Sequence, residues 1–221
     1  MYPYANRMQS QLKWWISSSI STKLQIHDGN LLYLIGIRPK IMHVVGIVGR
    51  FQANPKESHL QAIKRIFKYL QGTWNFGLWY PRDTDLTLHA YTDVDWVGSI
   101  DDRKSTSGGA FYMGSRLVSW FSKKQSSISL STVKVEYEVV ASCYTQLLWM
   151  MQTLQHIQIT CTPPISILCD NTSAISISKN PVMHSNTKHI PIIPFSKWTS
   201  AWTKGQIRIC SLQRIGCWYI H

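Results

Sequence analysis

The amino-acid sequence predicts an α/β fold in which flanking helices pack on a mixed sheet. Three runs with the two-residue period of a strand lie between residues 86 and 120, and the last two flank Gly114-Ser115, a hairpin signal. A long run with helical period follows, and then one more alternating run and the start of another helix. A strand meander followed by a helix–strand–helix unit forms a mixed sheet with helices packed on it.

The N-terminal part of the chain predicts helical and buried segments. Residues 1–28 have no clear period, so no element is predicted there. Residues 30–51 are strongly apolar and predict two short buried segments with a break at Pro39, because proline disfavours the helical conformation of the residue before it. Residues 53–73 predict a helix that ends at Gly72. Its predicted apolar face consists of Leu60, Ile63, Phe67 and Leu70.

The later elements follow from the same periods. The first strand of the meander ends in the carboxylates of YTDVDW, and SISL (127–130) predicts a further short strand. Ser131 or Thr132 is predicted to cap a long helix that ends near His156. ISILCD (165–170) alternates again and ends in an acid. The predicted apolar face of the long helix includes Val135, Val139, Leu147, Met150 and Leu154.

Composition limits the classes of protein that fit. Of 221 residues, 44% are hydrophobic, which is enough for a buried core, and the net charge of +12 favours a polyanionic partner such as nucleic acid. No apolar run approaches the roughly 18 residues that cross a bilayer, and no secretory signal is visible. We therefore expect an intracellular protein that does not interact with membranes. Five cysteines without a CxxC pair argue against a disulfide framework and a structural zinc site.

Three acids stand at the ends of predicted elements. Asp93 ends the first strand, Glu136 lies in the first turns of the long helix, and Asp170 ends the last strand. Clustered carboxylates repel one another unless a cation lies among them, and Mg²⁺ prefers such oxygen ligands. The alternative is that the two aspartates are turn or cap residues and Glu136 is an ordinary first-turn acid.

Consecutive motifs of this sequence also carry a family resemblance. LLYLIGIRPKIMHVVGIVGRF and HLQAIKRIFKYLQGT are similar to the end of the reverse transcriptase region of Copia-type retrotransposon Pol polyproteins. YTDVDWVGSIDDRKSTSGGAFYMGSRLVSWFSKKQ, LSTVKVEYEVVASC and CDNTSAISISKNPVMHSNTKHI resemble the ribonuclease H domain that follows it. DRKSTSG and CDNTSAI are the most specific of these motifs, and the resemblance runs from Leu31 to His189.

The resemblance implies a ribonuclease H-like mixed sheet, preceded by a partial reverse transcriptase end segment. It implies Mg²⁺-dependent hydrolysis of the RNA strand in an RNA–DNA hybrid, with two ions in the intact family. The matching metal-binding and catalytic acids are Asp93, Glu136 and Asp170. Asp95 is either a loop acid or a further ligand. The acid order Asp, Glu, Asp disfavours a transposase or integrase, which generally has Asp, Asp, Glu.

Four basic residues are candidates for binding the hybrid. Arg103 and Lys104 lie between the first two strands, and Lys123 and Lys124 follow the third. Phosphate contacts supply most of the affinity for nucleic acid, although solvated loop residues are the alternative for each pair. His184 and His189 are not assigned to a zinc site.

The chain also departs from the family pattern. Lys134 stands where an acid is usual, and the tail lacks the family segment YVPTKEQVADIFTK, whose Asp is the fourth active-site acid. With permitted codons, Ile209 to His221 read one nucleotide later give a run similar to that segment, with a stop codon for the Gln and a Gly for the Asp. Residues after Asp170 also contain no acid. We interpret the tail as degraded and frame-shifted.

These observations predict four segments and a decayed enzyme. The segments are a divergent N-terminus (1–28), a reverse transcriptase remnant (29–80), a ribonuclease H-like domain (86–190) and the tail (191–221). The expected partners are an RNA–DNA hybrid and the remainder of a Pol polyprotein. Weak or absent hydrolysis is expected. The alternatives are a non-catalytic basic nucleic-acid-binding protein and a non-functional translation product.

Overall fold

The structure is a computed structural model in which the chain divides into two compact units, Met1–Leu78 with Ile220–His221 and Trp79–Tyr219. The predictions for 1–28 and for His184 and His189 fall outside the residues that it describes. The described residues are 29–82, 85–96, 98, 103–126, 128, 131–161, 165–179 and 207–211.

The first unit is helical. Residues 29–34 are helical, and a 3-10 turn (Pro39–Ile41) leads into α1 (Met42–Gly49), so the predicted break before Pro39 is confirmed. Helix α2 spans Glu57–Gly72. Six buried residues of this unit form one cluster: Leu31, Ile41, Val45, Val48, Ile63 and Ile66. Leu60 of α2 is buried as well.

Hydrogen bonds connect the end of α2 to the segment before α1. The Arg38 guanidinium donates hydrogen bonds to the backbone oxygens of Thr73 at 2.9 Å and Trp74 at 3.3 Å. One predicted contact of this helix is wrong, because Phe67 is 38% exposed whereas Ile66 is 5% exposed. The apolar stripe therefore passes through Ile66 rather than its larger neighbour.

The second unit is built on a five-stranded mixed sheet. Strands β1 (Leu88–Asp95), β2 (Thr106–Met113) and β3 (Arg116–Lys124) form an antiparallel meander. Strand β4 (Ile165–Cys169) pairs in parallel with β1, and β5 (Ile207–Ser211) pairs in parallel with β4. The strand order is therefore β3-β2-β1-β4-β5. The hairpin turns at Gly114, whose φ of 60° suits a residue without a side chain.

Helices α3 (Thr132–His156) and α4 (Thr172–Lys179) complete the predicted order. Ser131 is the N-cap residue of α3, although its side chain makes no capping hydrogen bond. Helix α3 packs across β1, β2 and β4. The α/β class and the mixed sheet with flanking helices are thereby confirmed.

The core of this unit lies between α3 and the sheet. Its buried aromatic and aliphatic residues come from helix α3 and from strands β1, β2, β4 and β5. Helix α4 adds Ala174 and Ile175. The main contributors are Leu88, Ala90, Phe111, Val139, Val140, Cys143, Tyr144, Leu147, Ile165, Ile167, Ile207 and Ile209. Met150 and Leu154, predicted for the apolar face of α3, are only partly buried against it.

Strand β5 is an element that the motifs did not predict. It lies within the segment 191–221 interpreted as a degraded tail, yet Ile207 and Ile209 are each 2% exposed. Its register with β4 pairs Ile165 with Ile207 and Ile167 with Ile209. The tail therefore contributes one strand to the sheet, while its frame-shifted origin and the four-segment division stay predictions. Of the predicted strand 127–130, only Ile128 is described, and it lies outside any strand.

Candidate metal centre

Asp93 and Asp170 lie on adjacent parallel strands. The last paired residues of β1 and β4 are Tyr91 and Leu168, and each aspartate follows two residues later. Because neighbouring strands are about 4.8 Å apart, this register puts the two acids at the same level of the sheet. The expected adjacency of the two acid-bearing strands is confirmed.

Glu136 reaches the same end of the sheet from α3. It lies in the second turn of that helix and is 8% exposed. Burial raises the pKa of Glu136 to about 8, and the charges of Asp170 and Asp93 contribute to the rise. All three predicted acids are therefore close enough to interact, and this environment favours the protonated form of Glu136 unless a cation lies beside it.

A cysteine joins this group. The Cys169 thiol is fully buried, and its Sγ lies 4.0 Å from both Oε2 of Glu136 and the backbone oxygen of Asn171, so it can donate its one proton to either. Ligand atoms of Glu136, Cys169 and Asp170 all lie within 4.8 Å of one another, and Asp93 is not a member of this tighter group. Burial also raises the pKa of the Cys169 thiol to about 11.

The alternation of residues in β4 also predicts that Cys169 is buried, although Cys169 is not an acid and so is not among the predicted ligands. In ISILC, the period of two puts Cys169 on the same face as Ile165 and Ile167, which is the face that α3 covers. A thiol on that face lies under α3, and the crossing of α3 over β4 brings it next to Glu136.

An open cleft lies over the carboxylates. Its volume is about 400 Å³. Asn171 fixes the backbone beside it, because its Oδ1 accepts a hydrogen bond from the Ala174 amide at 3.0 Å and so caps α4. The residues that line the cleft are Val94, Trp96, Thr132, Glu136, Asp170 and Asn171. Oxygen ligands at the floor of an open cleft suit a hard divalent cation that also contacts substrate.

Asp95 is the last residue of β1 and is exposed, so the prediction of a loop acid is not matched by its position. Its carboxylate packs so closely on Gly98 that a Cβ at that position would overlap it. The Asp95 carboxylate thus lies against Gly98, and a side chain at position 98 would require this carboxylate to move.

The four candidate basic residues gather at the same end of the sheet as the acids. Asp95 pairs with Thr106, and Thr106 in turn pairs with Lys124. Lys123 is the preceding residue of β3, and Arg103 and Lys104 lie just before β2. Arg103 and Lys123 are exposed. Lys123 and Lys124 are thus two strands away from Asp93, whereas Arg103 and Lys104 precede the strand next to it.

Comparison with known proteins identifies the family. No family model matches the chain. The chain is 43% identical over 164 residues to the retrovirus-related Pol polyprotein from transposon RE1 of Arabidopsis thaliana, a match that covers 74% of this chain and 11% of that protein. It is 38% identical over 165 residues to the Pol polyprotein from transposon TNT 1-94 of Nicotiana tabacum, a match that covers 74% of this chain and 12% of that protein.

A shorter relative is matched over most of its own length. Secreted RxLR effector protein 161 of Plasmopara viticola is 37% identical over 123 residues, which is 55% of this chain and 87% of that protein.

These findings define a class of proteins, those that derive from retrotransposon polyproteins. In particular, this chain belongs to the family of Copia-type retrotransposon Pol polyproteins, and it spans about a tenth of the length of the polyproteins it matches.

Proposed function

We propose that the second unit carries a ribonuclease H-type site for metal-dependent hydrolysis of the RNA strand in an RNA–DNA hybrid. The observation that carries the proposal is the meeting of Asp93, Glu136 and Asp170 at one end of the sheet beside an open cleft. Acids on two neighbouring strands and a crossing helix offer oxygen ligands from three directions.

The residues present fit magnesium. Glu136 is buried beside two further carboxylates, an arrangement that repels itself unless positive charge lies within it. Asp93, Glu136 and Asp170 would hold Mg²⁺, with two ions expected in the intact family. When bound, Mg²⁺ activates a water and stabilises the leaving oxygen of a phosphodiester. The capped start of α4 keeps the backbone next to Asp170 in place for this role.

The proposed substrate is bound through its phosphates. Arg103, Lys104, Lys123 and Lys124 stand at the sheet end that carries the acids. Charges there contact the backbone of a hybrid whose scissile phosphate lies over the carboxylates.

The proposed level of hydrolysis is weak or nil. The family tail supplies a fourth acid, whereas this chain has no Asp or Glu after Asp170. Each carboxylate offsets cation charge and fixes an ion, so the loss of one leaves an ion poorly held. On this proposal the chain is a decayed retrotransposon remnant.

A chimera with a repaired tail tests both the proposed catalytic site and the hypothesis that its activity has decayed. Because β5 belongs to the sheet, the chimera keeps this chain through Ser211 and continues with an in-frame family tail that contains the Asp. We expect the chimera to cut a labelled RNA–DNA hybrid with Mg²⁺ at least about tenfold faster than the native chain. An Asp170→Asn chimera should be inactive.

Two outcomes contradict this proposal. A native chain as fast as the chimera would show that the fourth acid is dispensable, so the decay hypothesis would be wrong. A fully active Asp170→Asn chimera would show that the proposed catalytic site is wrong.

A second candidate function is non-catalytic nucleic-acid binding. The basic residues at the sheet end and the net charge of +12 favour it. Hybrid binding without Mg²⁺-dependent cleavage by the chimera would support it. A third hypothesis, a translation product that does not fold, predicts no cooperative melt by circular dichroism.

The proposed setting is inside the cell, together with the remainder of a Pol polyprotein. Among the residues that the structure describes, no helix has the length and apolarity to cross a membrane.

A further inference from the structure

We propose that Glu136, Cys169 and Asp170 form a binding site for a thiophilic divalent cation of the Zn²⁺ and Cd²⁺ class. This site goes beyond the proposed hydrolytic function, which uses carboxylate oxygens and Mg²⁺ alone. The Cys169 sulfur is the ligand that changes the chemistry.

The geometry allows one ion to touch all three side chains. Their ligand atoms lie within 4.8 Å of one another. Zinc binds sulfur at about 2.3 Å and carboxylate oxygen at about 2.0–2.2 Å, so a tetrahedral ion needs its ligands roughly 3.5 Å apart. A closure of about 1 Å, within the reach of side-chain rotation, achieves this. The fourth position then faces the cleft, which Glu136 and Asp170 line.

Glu136 supplies an independent reason for a cation here. It is only 8% exposed and lines the cleft. A hydrogen-bond donor to its carboxylate is the Cys169 thiol, at the long distance of 4.0 Å. Burial of a carboxylate is costly unless positive charge lies beside it, and a cation held by Glu136, Cys169 and Asp170 would supply that charge.

The sulfur sets the preference among metals. Magnesium takes oxygen ligands, whereas thiolate ligands select zinc and other soft or borderline ions. When such an ion binds, the Cys169 Sγ–H bond breaks, the sulfur keeps the electron pair and bonds to the ion, and the proton passes to water. An ion bound there takes up Glu136 and Asp170, so it competes with Mg²⁺ for the carboxylates.

Cadmium binding to the full-length chain tests the site without nucleic acid. The reduced, chelator-stripped protein is titrated with Cd²⁺ and followed by the ultraviolet thiolate-to-cadmium charge-transfer band. We expect one equivalent to bind with this band, and a large excess of Mg²⁺ to displace it only weakly. Cys169→Ser should abolish the band and weaken binding roughly tenfold or more.

Matched cysteines provide the controls. Cys143 is buried against the same core and Cys161 is partly buried, and both lie outside the three-residue group. Cys143→Ala and Cys161→Ser should therefore keep both the band and the affinity. A band that persists in Cys169→Ser, or disappears in either control, would overturn the proposal.

A second pair of variants covers the case in which Cys169→Ser does not fold. Glu136→Gln and Asp170→Asn leave the thiol in place, and each should weaken Cd²⁺ binding about tenfold. Unchanged Cd²⁺ affinity in both variants would refute the site. The titration contains no substrate, so its result is independent of whether the chain cuts a hybrid.

Discussion

Glu136 makes the stability of the second unit depend on pH. Its pKa is raised to about 8 in the folded chain, chiefly by burial and then by Asp170 and Asp93. In the unfolded chain this carboxyl ionises near its ordinary value, so between about pH 4.5 and 8 the folded state binds more protons. The free energy of unfolding therefore falls as pH rises through this window.

Removal of that carboxyl should remove the effect. In Glu136→Gln, with divalent cations chelated, we expect the fall in unfolding free energy between pH 5 and 8 to shrink by at least about 1 kcal/mol, the worth of one pKa unit. Urea melts at a series of pH values measure it. Glu138→Gln, on the same helix, is the control and should keep the wild-type slope. An unchanged slope in Glu136→Gln would contradict the burial argument.

At the residue scale, the acids could be predicted from the sequence and their surroundings could not. Asp93, Glu136 and Asp170 were found because element ends and motifs mark them. Cys169 was missed because its partner, Glu136, lies 33 residues away and only the crossing of α3 over β4 brings them together. Phe67 was misassigned because two adjacent apolar residues fit the helical period almost equally well.

At the element scale, strand β2 contains two adjacent glycines that differ in the space available for a side chain. A Cβ on Gly109 would clash with the Phe121 ring and come within 3.0 Å of the Cys143 sulfur, whereas one on Gly108 would have its nearest contact at 3.6 Å. Gly109→Ala should destabilise the fold by about 1–3 kcal/mol through overpacking. Gly108→Ala should change stability by less than about 1 kcal/mol. Chemical denaturation of both variants measures the difference, and equal effects would contradict this packing.

Strand β5 can be tested in the same way. Ile209 is 2% exposed and Arg208 is exposed on the same strand. Ile209→Ala should cost about 2–5 kcal/mol, whereas Arg208→Ala should stay within about 0.5 kcal/mol. A thermal melt at a fixed pH separates the two. A neutral Ile209→Ala would mean that the tail does not belong to the sheet.

The same strand shows why part of the fold escaped prediction. The meander and α3 have long periodic runs, so local pattern was enough to place them. Strand β5 has only five residues, in which Ile207 and Ile209 alternate with Arg208, and it lies beyond the last family motif. Its place beside β4 is a tertiary property that no local period encodes.

At the scale of the whole molecule, charge should dominate any contact with nucleic acid. With a net charge of +12, binding to an RNA–DNA hybrid should weaken steeply with salt and depend little on sequence. Replacement of Arg103, Lys104, Lys123 and Lys124 by Ala should reduce the slope of log affinity against log salt by up to about 3–4. Fluorescence anisotropy at several salt concentrations measures this slope.

A matched variant makes that test specific. Replacement of Lys64, Arg65 and Lys68, on α2 in the first unit, changes the net charge to a similar degree. It should leave most of the slope intact if the sheet-end residues make the contacts. Equal losses in both variants would assign the binding to overall charge rather than to the proposed site.

The strand order has a consequence for how the chain reaches its native state. The pairings of the meander are local, whereas His89 pairs with Ser166 and Ile165 with Ile207, both far apart in sequence. Closure of such long loops costs chain entropy before any contact repays it, so parallel pairing is slow. The half of the sheet that bears Asp170 should thus form last, after a hairpin nucleus. On the ribosome it must wait until residues 207–211, which form β5, have emerged.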